Sequence, residues 1–209
     1  MPRYYMFHKP KGAVTARRDA RHRTVMDYFP EEDRDILFPV GRLDKDTEGF
    51  LILTDDGKFS FKISDPSYRV EKTYVFWAKG KYTDDKLDAL RQGVFISTKR
   101  GDIEASCKVE KLAEGKVSDI AHLLDENPAR LIYTRYGEVP VVRLKMTITE
   151  GKKHQVKKMA KSVGLTVVYL ERIAICGVFL DKDLPRGKFR PLSSAELETM
   201  LKTVIIGDT

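Results

Sequence analysis

A mixed α+β fold is the fold class this sequence predicts, and three features predict it. Strand-length apolar runs lie close together along the chain. Few of them alternate regularly with helices, which favours a mostly antiparallel or mixed sheet over a doubly wound one. The hydrophobic content, 42% of 209 residues, suffices for one sizeable core shared between two lobes.

The elements follow in order. Tyr4 to Phe7 reads as a short strand. Thr24 is placed to cap a short helix that ends before Pro30. Phe50 to Leu53 is an apolar run of strand length, and residues 57–64 form a helix stopped by Asp65-Pro66. Thr73 to Ala78 is aromatic and β-branched, hence strand. Thr83, followed by Asp84 and Asp85, opens a helix that Gly93 ends. Val94 to Ser97, Ile103 to Leu112, Leu131 to Thr134 and Val141 to Thr149 read as strands. A helix then runs from Lys153 to Val163, with Gly164 as its stop. Val156, Met159, Ala160 and Val163 follow i, i+3, i+4, i+7 and form its buried stripe, while Lys153, Lys157 and Lys161 align on another face. Thr166 to Ile175 is a strand and Ser194 to Lys202 a last helix. The charged segment 113–139 contains Asn127-Pro128, interrupts two strands, and is expected to be a surface insertion. Residues 1–209 together are expected to make a single domain of two α+β lobes.

The formal net charge is +7, unevenly spread. Residues 1–30 carry seven basic and two acidic side chains, and residues 150–190 carry ten and four. Two basic regions far apart in sequence suggest one positive surface for a polyphosphate partner; solvated lysines are the plainer alternative. No stretch has the roughly 18 apolar residues that a membrane span needs, and the first residues lack a secretory apolar core. Two cysteines, Cys107 and Cys176, cannot build a disulfide framework, so a cytoplasmic location is expected.

The chemistry centres on Gly41-Arg42-Leu43-Asp44-Lys45-Asp46-Thr47-Glu48-Gly49, directly before the apolar run. A rigid strand would hold such a loop while its side chains stay free to act. Arg42 and Lys45 flank Asp44 and favour its ionised form, which can serve as nucleophile or base. Taken alone, an aspartate here equally shapes a turn by bonding to nearby amides.

The segment resembles the signature of the RsuA-type ribosomal RNA pseudouridine synthases, whose Gly-Arg-Leu-Asp run carries an essential aspartate. Four more segments resemble that family in the same order. They are His8-Lys9-Pro10-Lys11-Gly12, Glu71-Lys72-Thr73-Tyr74, Glu150 to Met159, and Leu184 to Ser193. The matches span residues 4 to 196, so the small ribosomal-protein-like module that many relatives carry before the first of them is expected to be lacking.

The resemblance implies the pseudouridine synthase catalytic fold, with a central sheet in two lobes flanked by helices and an RNA cleft. It implies isomerisation of uridine in structured RNA, with ribosomal RNA of a bacterium first, by a monomer. Such an isomerisation exchanges one bond for another without redox change, so no cofactor and no metal is implied. Asp44 would be the catalytic carboxylate and Tyr74 the platform on which the flipped base stacks. Tyr74 could instead be a core aromatic, since Phe76 shares its strand face. Lys157 stands where relatives commonly have an arginine that pairs with the aspartate. Lysine supplies the charge but not the bidentate fork. The RNA contacts are expected from Arg42, Lys9, Lys11, Arg17, Arg18, Lys72, Lys152, Lys153, His154, Gln155 and Lys158, with Arg21 and Arg23 added by their charge. His154 and Gln155 could equally orient the loop of Asp44, and Arg172 and Arg190 could equally partner nearby acids. Two rivals are a non-catalytic RNA-binding protein and a metal-dependent RNA hydrolase. The hydrolase would need clustered carboxylates, and Asp55 and Asp56 read better as a turn.

Overall fold

The structure, a computed structural model, describes residues 2–124 and 137–206. Its strands are β1 (Tyr4–Lys9), β2 (Phe38–Val40), β3 (Glu48–Thr54), β4 (Lys72–Lys79), β5 (Val94–Thr98), β6 (Gly101–Ala105), β7 (Lys108–Lys116), β8 (Pro140–Ile148), β9 (Thr166–Ile175), β10 (Val178–Phe179) and β11 (Phe189–Pro191). Its helices are α1 (Glu31–Arg34), α2 (Gly57–Ser64), α3 (Asp84–Gln92), α4 (Gln155–Ser162) and α5 (Ser194–Ile206), with short 3-10 turns between. The expected α+β class is what forms. The strand path is β11-β1-β3-β9-β4-β8-β7, with β2 on β3 and β10 on β9, and β5-β6 form a separate ribbon. The sheet is mixed: β1, β2 and β11 pair antiparallel, and β3 pairs β9 in parallel. No helix among the described residues is long and apolar enough to cross a membrane.

The chain divides into two compact units. The first comprises Met1–Thr73 with Glu171–Thr209. In it, every residue of β3 is buried, as a continuous apolar run predicts for a strand covered on both faces. Phe50 and Ile52 join Met6, Val40, Phe59, Ile63, Val70 and Met200 in one cluster. On the other face Leu51 stands opposite Phe7, whose ring meets Phe29, which stacks on Phe189 at 4.1 Å. Helix α2 begins because Asp56 accepts the Phe59 N–H at 3.0 Å, and it ends at Asp65 before Pro66. The expected helix after Thr24 is a single 3-10 turn, Val25–Tyr28, in which the Asp27 carboxylate accepts the Thr24 N–H.

The second unit is Tyr74–Leu170. The single strand expected over 103–112 is instead two, because its halves serve different sheets. Ile103 of β6 faces Ile96 of β5, whereas β7 pairs β8 from Lys108 onward. Between them the Cys107 N–H turns to the carbonyl of Leu90. Of the charged segment 113–139, residues 113–116 belong to β7, and Val117–Leu123 is a 3-10 helix with Val117 and Ile120 buried. Residues 125–136, and with them the strand expected at Leu131 to Thr134, lie outside the described residues.

Candidate active site

In the first unit, the loop between β2 and β3 presents Asp44 half-buried, with Arg42, Lys45 and Asp46 exposed. Leu43 and Thr47, on either side, are buried and anchor it. The Thr47 N–H closes the turn on the Asp44 carbonyl at 3.1 Å. Thr15 holds the entry, because its hydroxyl donates to the Leu43 carbonyl at 2.7 Å and accepts the Leu43 N–H at 3.2 Å. Gly12 N–H reaches the Lys45 carbonyl at 2.8 Å. Lys9 holds the exit, donating from Nζ to the carbonyls of Thr47 at 2.8 Å and Pro10 at 3.0 Å. The Lys-Pro segment is thus folded against the aspartate loop, and Thr15, which carried no sequence signal, is part of the same brace.

Lys9 is fully buried, and that burial pushes its pKa down from 10.5 to about 8; Asp46, Glu48 and Asp44 oppose the shift. Between those two values the unfolded chain binds a proton that the folded chain lacks. Stability from this group therefore rises as pH climbs from about 8 to 10.5, and below that window the buried charge is a cost. Thermal melts across this range should show the rise in the wild type and not in Lys9→Met.

The start of β3 is pinned from the other side. Arg186 Nε donates to Glu48 Oε2 at 2.7 Å, and Glu48 is buried. Gly187 N–H bonds to the His8 carbonyl at 2.8 Å, tying Leu184 to Ser193 to β1. Gly49 lies against Arg172 in the parallel β3–β9 pairing, and the buried Arg172 donates Nε to the Phe50 carbonyl at 2.7 Å. Arg190 bonds Asp181 and forks onto Glu196, holding the Glu196 carboxyl down at about 2. Arg190 is therefore an internal partner of two acids, and Arg172 a buried donor to a strand carbonyl.

Among the other residues expected to meet RNA, Arg17, Arg18 and Arg21 are exposed and Lys11 is half-buried. Arg17 and Arg18 both reach Asp35, and Arg23 lies over the Tyr28 ring at 3.9 Å. Lys72 is buried, with Nζ donating to the Val70 carbonyl at 3.0 Å.

In the second unit, Tyr74 and Phe76 share a face of β4 and both are buried, Tyr74 retaining 8% exposure. Val156, Met159 and Ala160 are buried as the spacing requires. Val163 is only half-buried, because α4 ends at Ser162 and Leu165 fills the place beyond it. The helix also begins at Gln155 rather than Lys153, after His154 in the left-handed region at φ 57°. Lys152, Lys153 and His154 are exposed, and Lys157 and Lys158 half-buried, with Lys158 Nζ bonded to the Ser97 carbonyl. Gln155 is buried and bonded internally.

No group of three or more His, Cys, Asp or Glu among the described residues could hold a metal ion. Asp55 is bonded to Arg3, and Asp56 is occupied by the α2 cap and the Tyr4 hydroxyl at 2.7 Å.

A family model described as RNA pseudouridylate synthase matches residues 3–162. The chain is 40% identical over 199 residues to an uncharacterized RNA pseudouridine synthase, YtzG, of Bacillus subtilis strain 168, covering 94% of this chain and 72% of that protein. It is 32% identical over 200 residues to ribosomal small subunit pseudouridine synthase A of Escherichia coli K12, covering 96% and 74%. A crystal structure of a pseudouridylate synthase superposes with a TM-score of 0.76 at 30% identity, covering 96% of this chain and 74% of that one.

Proposed function

The chain belongs to the RNA pseudouridylate synthase family and is an isomerase acting on RNA, and from that premise we propose that it converts a uridine of bacterial ribosomal RNA to pseudouridine with Asp44 as its catalytic carboxylate. The observation that carries the proposal is the bracing of the Asp44 turn. Lys9, Gly12 and Thr15 hold its backbone, and Arg186 holds Glu48 beyond it. Such a brace fixes the backbone that carries the carboxylate, which suits a group that must meet a reacting atom in one geometry.

The reaction breaks the bond between uracil nitrogen and the ribose carbon, turns the base, and forms a bond from that carbon to a ring carbon. The proton on the new carbon link leaves and the ring nitrogen gains one, so atoms balance. Asp44 attacks the sugar, attacks the base, or removes the ribose proton. Tyr74 is the proposed platform for the flipped uracil, and Lys157 the cation that balances Asp44. Arg42, Lys11, Arg17, Arg18, Lys152, Lys153, His154 and Lys158 are the proposed phosphate contacts. Lys9, Lys72 and Gln155 are buried and bonded to the protein, so we assign them to holding the backbone. The family match runs through both compact units, which supports their acting as one catalytic domain.

The test is incubation with unmodified small- and large-subunit ribosomal RNA without added metal, followed by chemical mapping of pseudouridine. A defined modified uridine supports the proposal, and unmodified or cleaved RNA rejects it. Lys157→Ala should lower turnover about a hundredfold, as loss of one aimed positive donor does, while Lys157→Arg keeps most of it. Full turnover in Lys157→Ala would remove that residue from the mechanism.

A further inference from the structure

We infer that Gln155 is a positioning residue: its amide clamps the turn from Glu150 to His154 into the shape that meets RNA phosphate, without touching RNA itself. The inference rests on the reading that this turn binds RNA.

The turn joins β8 to α4 and offers three consecutive exposed donors, Lys152, Lys153 and His154. Gly151, directly before them, gives the backbone freedom that would scatter those donors. Gln155 opposes that freedom with both ends of its amide. Oε1 accepts the Lys152 N–H at 3.0 Å, and Nε2 donates to Glu150 Oε2 at 2.8 Å. Only this orientation fits, because an N–H needs an acceptor and a carboxylate needs a donor. The Gln155 N–H also closes on the Lys152 carbonyl at 3.0 Å. Between these bonds sits His154 at φ 57°, a region a non-glycine residue keeps only when its surroundings dictate it. Gln155 is 3% exposed, so nucleic acid cannot reach the amide that does this.

Helix α4 has a separate anchor in the buried Val156, Met159 and Ala160. Loosening the clamp should therefore scatter the turn and leave Lys157 in place. The effect belongs in KM for RNA rather than in kcat.

Gln155→Glu keeps the acceptor for Lys152 but sets a second carboxylate against Glu150. It should raise KM for unmodified ribosomal RNA about tenfold, the scale of one lost charge-assisted hydrogen bond, with kcat within about twofold. Exchanging the pair, Glu150→Gln with Gln155→Glu, restores a donor and an acceptor at each point. It should bring KM back to within about threefold of wild type, and circular dichroism checks that every variant is folded. An unchanged KM in Gln155→Glu, a loss confined to kcat, or no rescue by the exchange overturns the inference. The double variant Lys152→Ala, Lys153→Ala tests the underlying reading separately. If it binds RNA as wild type does, the turn is not an RNA contact. If it binds weakly while Gln155→Glu is normal, only the clamp fails.

Discussion

Gly49→Ala should destabilise the folded protein by about 3 kcal/mol, seen as a fall of roughly 6–12 °C in melting temperature for a chain of this size. Two costs combine. Gly49 has φ +104°, where an L side chain meets its own backbone, a strain of about 1–2 kcal/mol. An added Cβ would also lie 2.3 Å from the Arg172 carbonyl oxygen and 2.8 Å from its nitrogen. Those are backbone atoms of the neighbouring strand and cannot swing aside, so the strands must separate, at a further cost of about 1–3 kcal/mol. Gly57→Ala is the control, since nothing lies within 4 Å of its Cβ position and its φ is ordinary. It should melt with the wild type. A Gly49→Ala protein that also melts within a degree of wild type would contradict the close parallel approach of β3 and β9.

Much of the frame around that glycine is legible in the sequence. Phe50 to Leu53 is an apolar run of strand length, as a strand covered on both faces requires. Helix α2 is bounded by a cap and a proline that act locally, so residues 57–64 can be read without a partner. The stripe of Val156, Met159 and Ala160 is likewise a property of one helix. What escapes the sequence depends on distant segments. The run 103–112 alternates like one strand, and nothing within it says that its halves bond to different partners. Phe38–Val40 and Phe189–Pro191 are three residues long and exist as strands only because β3 and β1 offer edges.

The site is divided in the same way. Asp44 and its companions are visible as motifs, but charge suggests an exposed place for Lys9 and Lys72, and nothing local decides between the two roles open to Gln155; all three are buried. Lys9 is buried because the carbonyl of Thr47, 38 residues along the chain, converges on its Nζ together with that of the adjacent Pro10. No local pattern shows that convergence. Thr15 and the Glu48–Arg186 pair are hidden for the same reason.

Asp44→Asn should cut pseudouridine formation by at least about a thousandfold while RNA affinity stays within about threefold. Asparagine has the shape of aspartate, and the bonds that hold this loop run largely through its backbone. The Thr47 N–H still meets the residue-44 carbonyl, and Lys9 and Thr15 still meet the carbonyls of Thr47 and Leu43. The fold and the basic surface are therefore kept. What is lost is the negative charge and the lone pair able to attack carbon or take a proton. The measurement that bears most directly on Asp44 sets equal amounts of folded wild type and Asp44→Asn against unmodified ribosomal RNA without metal. Binding and mapped pseudouridine are read from the same reactions. The expected result is equal binding, with pseudouridine from the wild type alone; equal pseudouridine from both proteins would contradict the assignment of Asp44 as the catalytic carboxylate.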